Sequence, residues 1–128
     1  MANPKSWGQS FEFLIRSEDG VKLFKQYLKS QFCDENLDFW LAVENFRDNV
    51  DDDELAKQAG IIVKTYVSKK ATRAVNLKAP NRERTVKAVE ANAHRNVFDD
   101  AQKEIYDFMQ RDPYVRFLKS EQYANACA

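Results

Sequence analysis

The sequence predicts an all-α fold, on three observations. Apolar residues recur at three- and four-residue spacings along most of the 128 residues, the period of one helical face. Only three Gly and three Pro interrupt that pattern, and no alternating run is long enough to build a sheet. Nine Phe, five Tyr and two Trp supply enough large apolar surface for one core without a metal or a disulfide.

Trp7, Phe11, Leu14 and Ile15 stand at i, i+4, i+7 and i+8 and predict a first helix, which Gly20 interrupts. Val21, Phe24 and Leu28, with Leu23 and Tyr27 beside them, predict a second that ends near Ser30 and leaves Lys22, Lys25 and Lys29 in water. Asp34 offers an N-cap carboxylate and Glu35 a negative charge for the first turn, so a third helix starts there. Leu37, Trp40 and Leu41 with Phe39, Val43 and Phe46 cover more than one face, which places this helix among neighbours. Asp51-Asp52-Asp53 ends it as a polar loop.

Leu55, Ala59, Ile62 and Tyr66 restart the pattern, although Gly60 costs that helix about 1 kcal/mol relative to alanine. Over residues 68–81 the period lapses, and Ala79-Pro80-Asn81 reads as a turn leading into an N-cap. Thr85, Val86 and Val89 predict a modest helix that fades by Ala93. Asn96 caps a stronger one, carrying Phe98, Ala101, Ile105 and Phe108 or Met109, with Asp99 and Asp100 in its first turn. Asp112-Pro113 starts the last helix, because Asp caps and Pro is tolerated where its missing N–H has no partner anyway. Tyr114, Phe117 and Leu118 pack it.

Twenty basic residues offset twenty acidic ones, so no global field draws the chain to nucleic acid. The balance hides a segregation. Residues 31–54 hold nine acidic residues against the single basic Arg47, and residues 69–95 hold eight basic residues against Glu83 and Glu90. Solvated helix faces account for such stretches; the functional readings are a docking surface, or a patch for anionic lipid made by Lys69, Lys70, Arg73, Lys78, Arg82, Arg84 and Lys87.

Cys33 and Cys127 do not make a disulfide framework. Residues 1–5 lack an apolar run, and no stretch approaches the roughly 20 apolar residues that span a bilayer. An intracellular domain is expected. One His and two distant Cys argue against zinc, and Gly8, Gly20 and Gly60 stand alone, so no phosphate loop is present. His94, in the polar stretch 92–96, reads as a surface histidine. Cys33, beside a helix start, is a packed thiol or one of lowered pKa. Asp34 with Asp38 and Asp99 with Asp100 read as caps and solvated positions rather than a catalytic pair. The residues therefore predict a domain that grips another protein, with no cofactor and no chemistry of its own.

The run Phe32-Cys33-Asp34-Glu35-Asn36-Leu37-Asp38-Phe39-Trp40-Leu41-Ala42-Val43-Glu44 resembles the signature segment of the regulator of G-protein signalling domain. Ser6-Trp7 with Ser10-Phe11, Ala74-Val75-Asn76-Leu77, Phe98-Asp99-Asp100-Ala101-Gln102 and Arg111-Asp112-Pro113-Tyr114-Val115-Arg116-Phe117-Leu118 resemble it in matching order. Together they place the domain at residues 5–124, with 1–4 and 125–128 as flexible ends. The resemblance implies a nine-helix fold, split into a four-helix bundle and a subdomain formed by the N- and C-terminal helices.

It further implies binding, as a monomer, to the switch regions of an activated heterotrimeric G-protein α subunit, and faster hydrolysis of the GTP held there. A cytoplasmic protein recruited to the inner face of the plasma membrane is expected. Carried over residue by residue, Asn76 lies near the partner's water-orienting glutamine, while Glu35 and Asn36 touch the switches. Asp112 and Arg116 meet the switch nearest the partner's own arginine, and Phe108 supplies an apolar contact.

Gln31, Phe32, Cys33, Lys78 and Pro113 complete the predicted surface, four of them as departures. Gln31 stands where many members have Glu, Cys33 where Ser is common, Lys78 where Asp is usual and Pro113 where Ser is usual. The residues alone leave plainer roles open: Asn76 bonding its own loop, Asp112 capping its helix, Arg116 pairing with Asp112. A scaffold domain of the same fold, binding partners without strong acceleration, is the alternative function.

Overall fold

A computed structural model describes residues 3–128 of the chain. The expected flexible segment 1–4 therefore includes two residues that lie outside the described ones. Among the described residues there are eight α-helices and no strand: α1 (Phe11–Arg16), α2 (Glu18–Ser30), α3 (Glu35–Asn49), α4 (Leu55–Ile62), α5 (Ala79–Ala91), α6 (Asp99–Arg111), α7 (Pro113–Phe117) and α8 (Glu121–Cys127). A 3-10 turn, Pro4–Gly8, precedes them, so the expected nine is not met by α-helices alone. None of these helices is long and apolar enough to cross a membrane.

The chain forms two compact units, one made of residues 1–34 with 108–128, the other of residues 35–107. The first is the expected subdomain from both chain ends. The second holds α3, α4, α5 and most of α6, the four helices of the expected bundle.

In the first unit, the single opening helix predicted from Trp7 to Ile15 is two elements. Ser10 separates them, because its side chain accepts from the Phe13 N–H at 3.1 Å and so caps α1. The helical spacing survives the break: Trp7, Phe11, Leu14 and Ile15 are all buried. Gly20 does not interrupt a helix either. It sits in the first turn of α2, which Ser17 caps through the Gly20 N–H at 3.1 Å, and a Cβ there would lie 2.7 Å from the Leu14 carbonyl oxygen. The glycine lets α2 fold back closely on the end of α1.

Phe11, Phe24 and Phe117 are fully buried, Phe24 meeting both of the others edge-on at centroid distances of 5.8 and 5.3 Å. Each such ring contributes about 2–3 kcal/mol by its burial alone. The Tyr114 hydroxyl donates to the Trp7 carbonyl at 2.6 Å and that of Tyr123 to the Pro4 carbonyl at 2.9 Å. Helical structure reaches Cys127 because Ser120 caps α8, its hydroxyl accepting from the Tyr123 N–H at 3.2 Å.

In the second unit, Phe39 and Phe46 of α3 meet Phe98 edge-on, with Leu37 and Val43 buried beside them. From Ile62 the chain continues as a π turn, Val63–Val67. Its wider pitch brings Val67, five residues beyond the buried Ile62, fully inside as well. Phe98, just before α6, and Ala101 and Ile105 on it are fully buried; farther along α6, in the part that belongs to the first unit, Met109 is fully buried and Phe108 half-exposed.

Candidate functional site

Residues 68–78 lack regular structure, yet they are held at many points. Val75 and Leu77 are buried and Asn76 between them is exposed, so the chain turns its only outward side chain of the three to solvent. The Leu77 N–H donates to the Val75 carbonyl at 2.9 Å, a three-residue turn with Asn76 at its apex. Before the apex, the Arg73 and Val75 N–H groups donate to the Thr65 and Tyr66 carbonyls at 2.8 and 3.0 Å, and Arg73 Nη1 meets Asp38 Oδ2 at 2.6 Å. After it, the Lys78 N–H donates to Glu104 Oε2 at 2.7 Å.

Asn36, in the first turn of α3, is fully buried. Its Nδ2 donates to Asn76 Oδ1 at 2.9 Å, and its Oδ1 accepts from the Asn76 N–H at 3.1 Å. Two asparagines 40 residues apart thus satisfy each other, and Asn76 stays exposed to solvent. Asn76 does not fold its side chain onto its own loop, and Asn36 is beneath Asn76 instead of on the surface. Glu35 is half-buried at the first position of α3, where the helix dipole favours its charge. Lys78 is exposed two residues beyond Asn76.

The helix α5 starts at Ala79, so the segment Ala79-Pro80-Asn81, expected as a turn, is the first turn of the helix. Asn81 is inside it and buried, donating to the Asp100 carbonyl at 3.2 Å and to Glu104 Oε1 at 3.0 Å, while its Oδ1 accepts from Thr85 at 3.2 Å. The cap is supplied from α6 by the Glu104 carboxylate, a negative charge at the positive end of α5.

The remaining candidates belong to the first unit. Helix α2 ends in a Schellman motif: the Phe32 N–H donates to the Lys29 carbonyl at 3.1 Å and the Cys33 N–H to that of Leu28 at 3.0 Å. The motif needs a left-handed residue, usually Gly, and here it is Phe32, with φ 57°. Its ring is 92% exposed, so no packing within the chain offsets the backbone strain. Gln31 is exposed and Cys33 half-buried. Phe108 carries the Arg111 guanidinium 5.5 Å over its ring.

Asp112 precedes α7 but makes no side-chain cap bond; its carboxylate accepts from Arg116 Nε at 2.8 Å. The predicted cap is therefore corrected in favour of the pairing. That hydrogen bond from the Arg116 side chain to Asp112 raises the Arg116 pKa, partial burial opposes it, and the charges of Asp112, Tyr27 and Cys33 add to the rise. Pro113 is buried in the first turn of α7. Gln31, Phe32, Cys33, Phe108, Asp112, Pro113 and Arg116 thus belong to the first unit, and Glu35, Asn36, Asn76 and Lys78 to the second.

Several polar residues escaped the sequence reading. Arg47, the one base in its acidic stretch, donates to Glu44 Oε2 at 2.7 Å and Asp99 Oδ1 at 2.8 Å, while the buried Gln102 amide donates to the Trp40 carbonyl at 3.1 Å. Burial pulls the Arg47 pKa down, but the two carboxylates outweigh it and the net direction is up. The supposed lipid patch also shrinks. Arg73 is paired with Asp38, and Arg82 donates to three backbone carbonyls, whereas Lys69, Lys70, Lys78, Arg84 and Lys87 are exposed. Glu104 and Arg82 have no short-range signature, since their partners are far away in sequence or are backbone atoms.

The family model described as the Regulator of G protein signaling domain matches residues 10–126. The curated protein Regulator of G-protein signaling 1 of Homo sapiens is 40% identical over 124 residues, 97% of this chain and 58% of its own length. Its counterparts in Xenopus tropicalis and Mus musculus are 39% identical over 115 residues and 40% over 119, covering 90% and 93% of this chain and 57% and 56% of theirs. The chain thus spans a little over half the length of these relatives. With the helical architecture, the subdomain built from both ends and a family match over nearly its whole length, this chain belongs to the Regulator of G protein signaling domain family.

Proposed function

We propose that this domain binds the switch regions of an activated heterotrimeric G-protein α subunit and speeds GTP hydrolysis there, contributing no reacting group itself. The observation that carries the proposal is Asn76: an exposed amide at the apex of a braced turn, its carbonyl and backbone N–H both engaged by the buried Asn36. The Gα partner already brings an arginine and a glutamine that orients the attacking water. What it lacks is rigidity, and a side chain ordered before docking supplies a polar contact at little entropic cost. Each tenfold of acceleration requires about 1.4 kcal/mol of preferential transition-state binding.

In this reading Asn36 is a support, while Asn76, Glu35, Phe32, Cys33, Asp112 and Arg116 meet the partner. Single-turnover GTP hydrolysis by a panel of Gα subunits tests it. Acceleration is expected with at least one subunit, falling about tenfold to a hundredfold with Asn76→Ala. Unchanged hydrolysis across the panel rejects the proposal. That variant also leaves buried Asn36 donors unpaired, at a cost of about 1–2 kcal/mol, so its folding is checked by circular dichroism.

The exposed Lys78 favours a second reading, a scaffold that binds Gα without strong acceleration, because it places a positive charge beside Asn76 where the family usually has a negative one. Equal binding to the GDP form with and without aluminium fluoride supports the scaffold; preference for the fluoride form supports acceleration. Recruitment to the inner face of the plasma membrane is proposed through the exposed Lys69, Lys70, Lys78, Arg84 and Lys87. Salt-sensitive sedimentation with anionic vesicles is the expected result, and none at low salt is the contrary one.

A further inference from the structure

We infer that Arg82 is a positioning residue for Asn76, an inference that rests on the proposed role of Asn76 in contacting Gα. By charge alone Arg82 belongs to a basic surface stretch. The structure puts its guanidinium to another use. Nη2 donates to the Val75 carbonyl at 3.1 Å and to the Leu77 carbonyl at 3.0 Å, the two carbonyls on either side of Asn76, and Nη1 donates to the Val67 carbonyl at 3.3 Å.

The Val75 carbonyl already accepts the Leu77 N–H that closes the turn. One planar cation therefore holds both shoulders of the turn and ties them to the end of the π turn behind it. Only a guanidinium has this reach. Its donors lie in a fixed fork, whereas an ammonium is a point charge on a flexible stem. Asn36 fixes the Asn76 amide from one side, and Arg82 fixes the backbone that carries it.

Arg82 itself starts from a fixed base. It lies in the first turns of α5, whose amino end is held by the Glu104 carboxylate through the Lys78 N–H and Asn81. The bracing of Asn76 thus runs from α6 through α5 to the apex of the turn, independently of α3.

The test compares Arg82→Lys with the parent by amide hydrogen exchange of the free protein, then by single-turnover hydrolysis with a responsive Gα, each with and without Asn76→Ala. Exchange at the Asn76 and Leu77 amides is expected to rise about tenfold or more on losing the forked bonds, while the core amides of Phe46 and Ile105 keep their rates. Acceleration is expected to drop by a similar factor in the parent background, and by less than twofold where Asn76 is already alanine, because residues acting through one another are not additive. Three results would overturn the inference: exchange at Asn76 and Leu77 within twofold of the parent, an equal rise at the core amides, or the same kinetic loss with and without Asn76. A parent that accelerates no Gα sinks the proposed function instead, and the exchange comparison still decides whether Arg82 orders the turn.

Discussion

Among single residues, Phe32 is the one whose position conflicts most with its chemistry. A left-handed backbone under an almost fully exposed ring costs about 1 kcal/mol relative to glycine, and nothing within the chain offsets it. Phe32→Gly is therefore expected to raise stability by about 1 kcal/mol, read as a higher urea midpoint, and to weaken Gα binding. A lower midpoint would mean that the ring stabilises the fold after all. Much at this scale was legible beforehand. The pairing of Asp112 with Arg116 four residues on follows from helix geometry, and the family resemblance marked Asn36 and Asn76, which the residues alone do not single out. That Asn36 is buried under Asn76 was not legible, because a hydrogen bond across 40 residues leaves no local pattern. Nor does Arg82 differ in sequence from the exposed bases around it.

Among elements, the boundaries moved wherever a cap outweighed a period. The spacing from Trp7 to Ile15 is helical throughout, yet Ser10 divides it, since hydroxyl capping ends one element and begins the next without disturbing which faces are buried. Ser120 gave the same signal before α8, and a reading alert to it would have extended structure to Cys127. The two helical glycines make a paired prediction, because propensity treats them alike and packing does not. At Gly60 an added Cβ meets no atom within 4 Å, so Gly60→Ala is expected to stabilise by about 0.8–1 kcal/mol. At Gly20 the same methyl would lie 2.7 Å from the Leu14 carbonyl oxygen, and Gly20→Ala is expected to cost about 1–3 kcal/mol despite the gain in propensity. Denaturant titration of both variants decides it; equal shifts of one sign would show that propensity alone governs these helices.

On the scale of the whole molecule, the two-unit plan followed from family resemblance and the all-helical class from periodicity, whereas the polar ties that close each unit are long-range and came only with the structure. In the first unit the closure titrates. Burial, then the neighbouring Cys127, pushes the Tyr123 hydroxyl up from 10.0 to about 12, and burial shifts Tyr114 in the same direction. The fold holds the neutral phenols, so their stabilisation is complete below about pH 10, the unfolded value, and is lost as pH rises from there toward 12. Urea midpoints followed across that window should fall in the parent and less steeply in Tyr123→Phe; parallel slopes would exclude Tyr123 as their source. The bond from Tyr123 to Pro4 has another consequence. The Pro4–Gly8 turn and α8 are neighbours, so within this domain a short peptide bridge can sew them together and the domain can be opened elsewhere. The order of the helices along this domain is then incidental to that unit, and a circularly permuted form of the domain is expected to close it with the same Tyr123 bond.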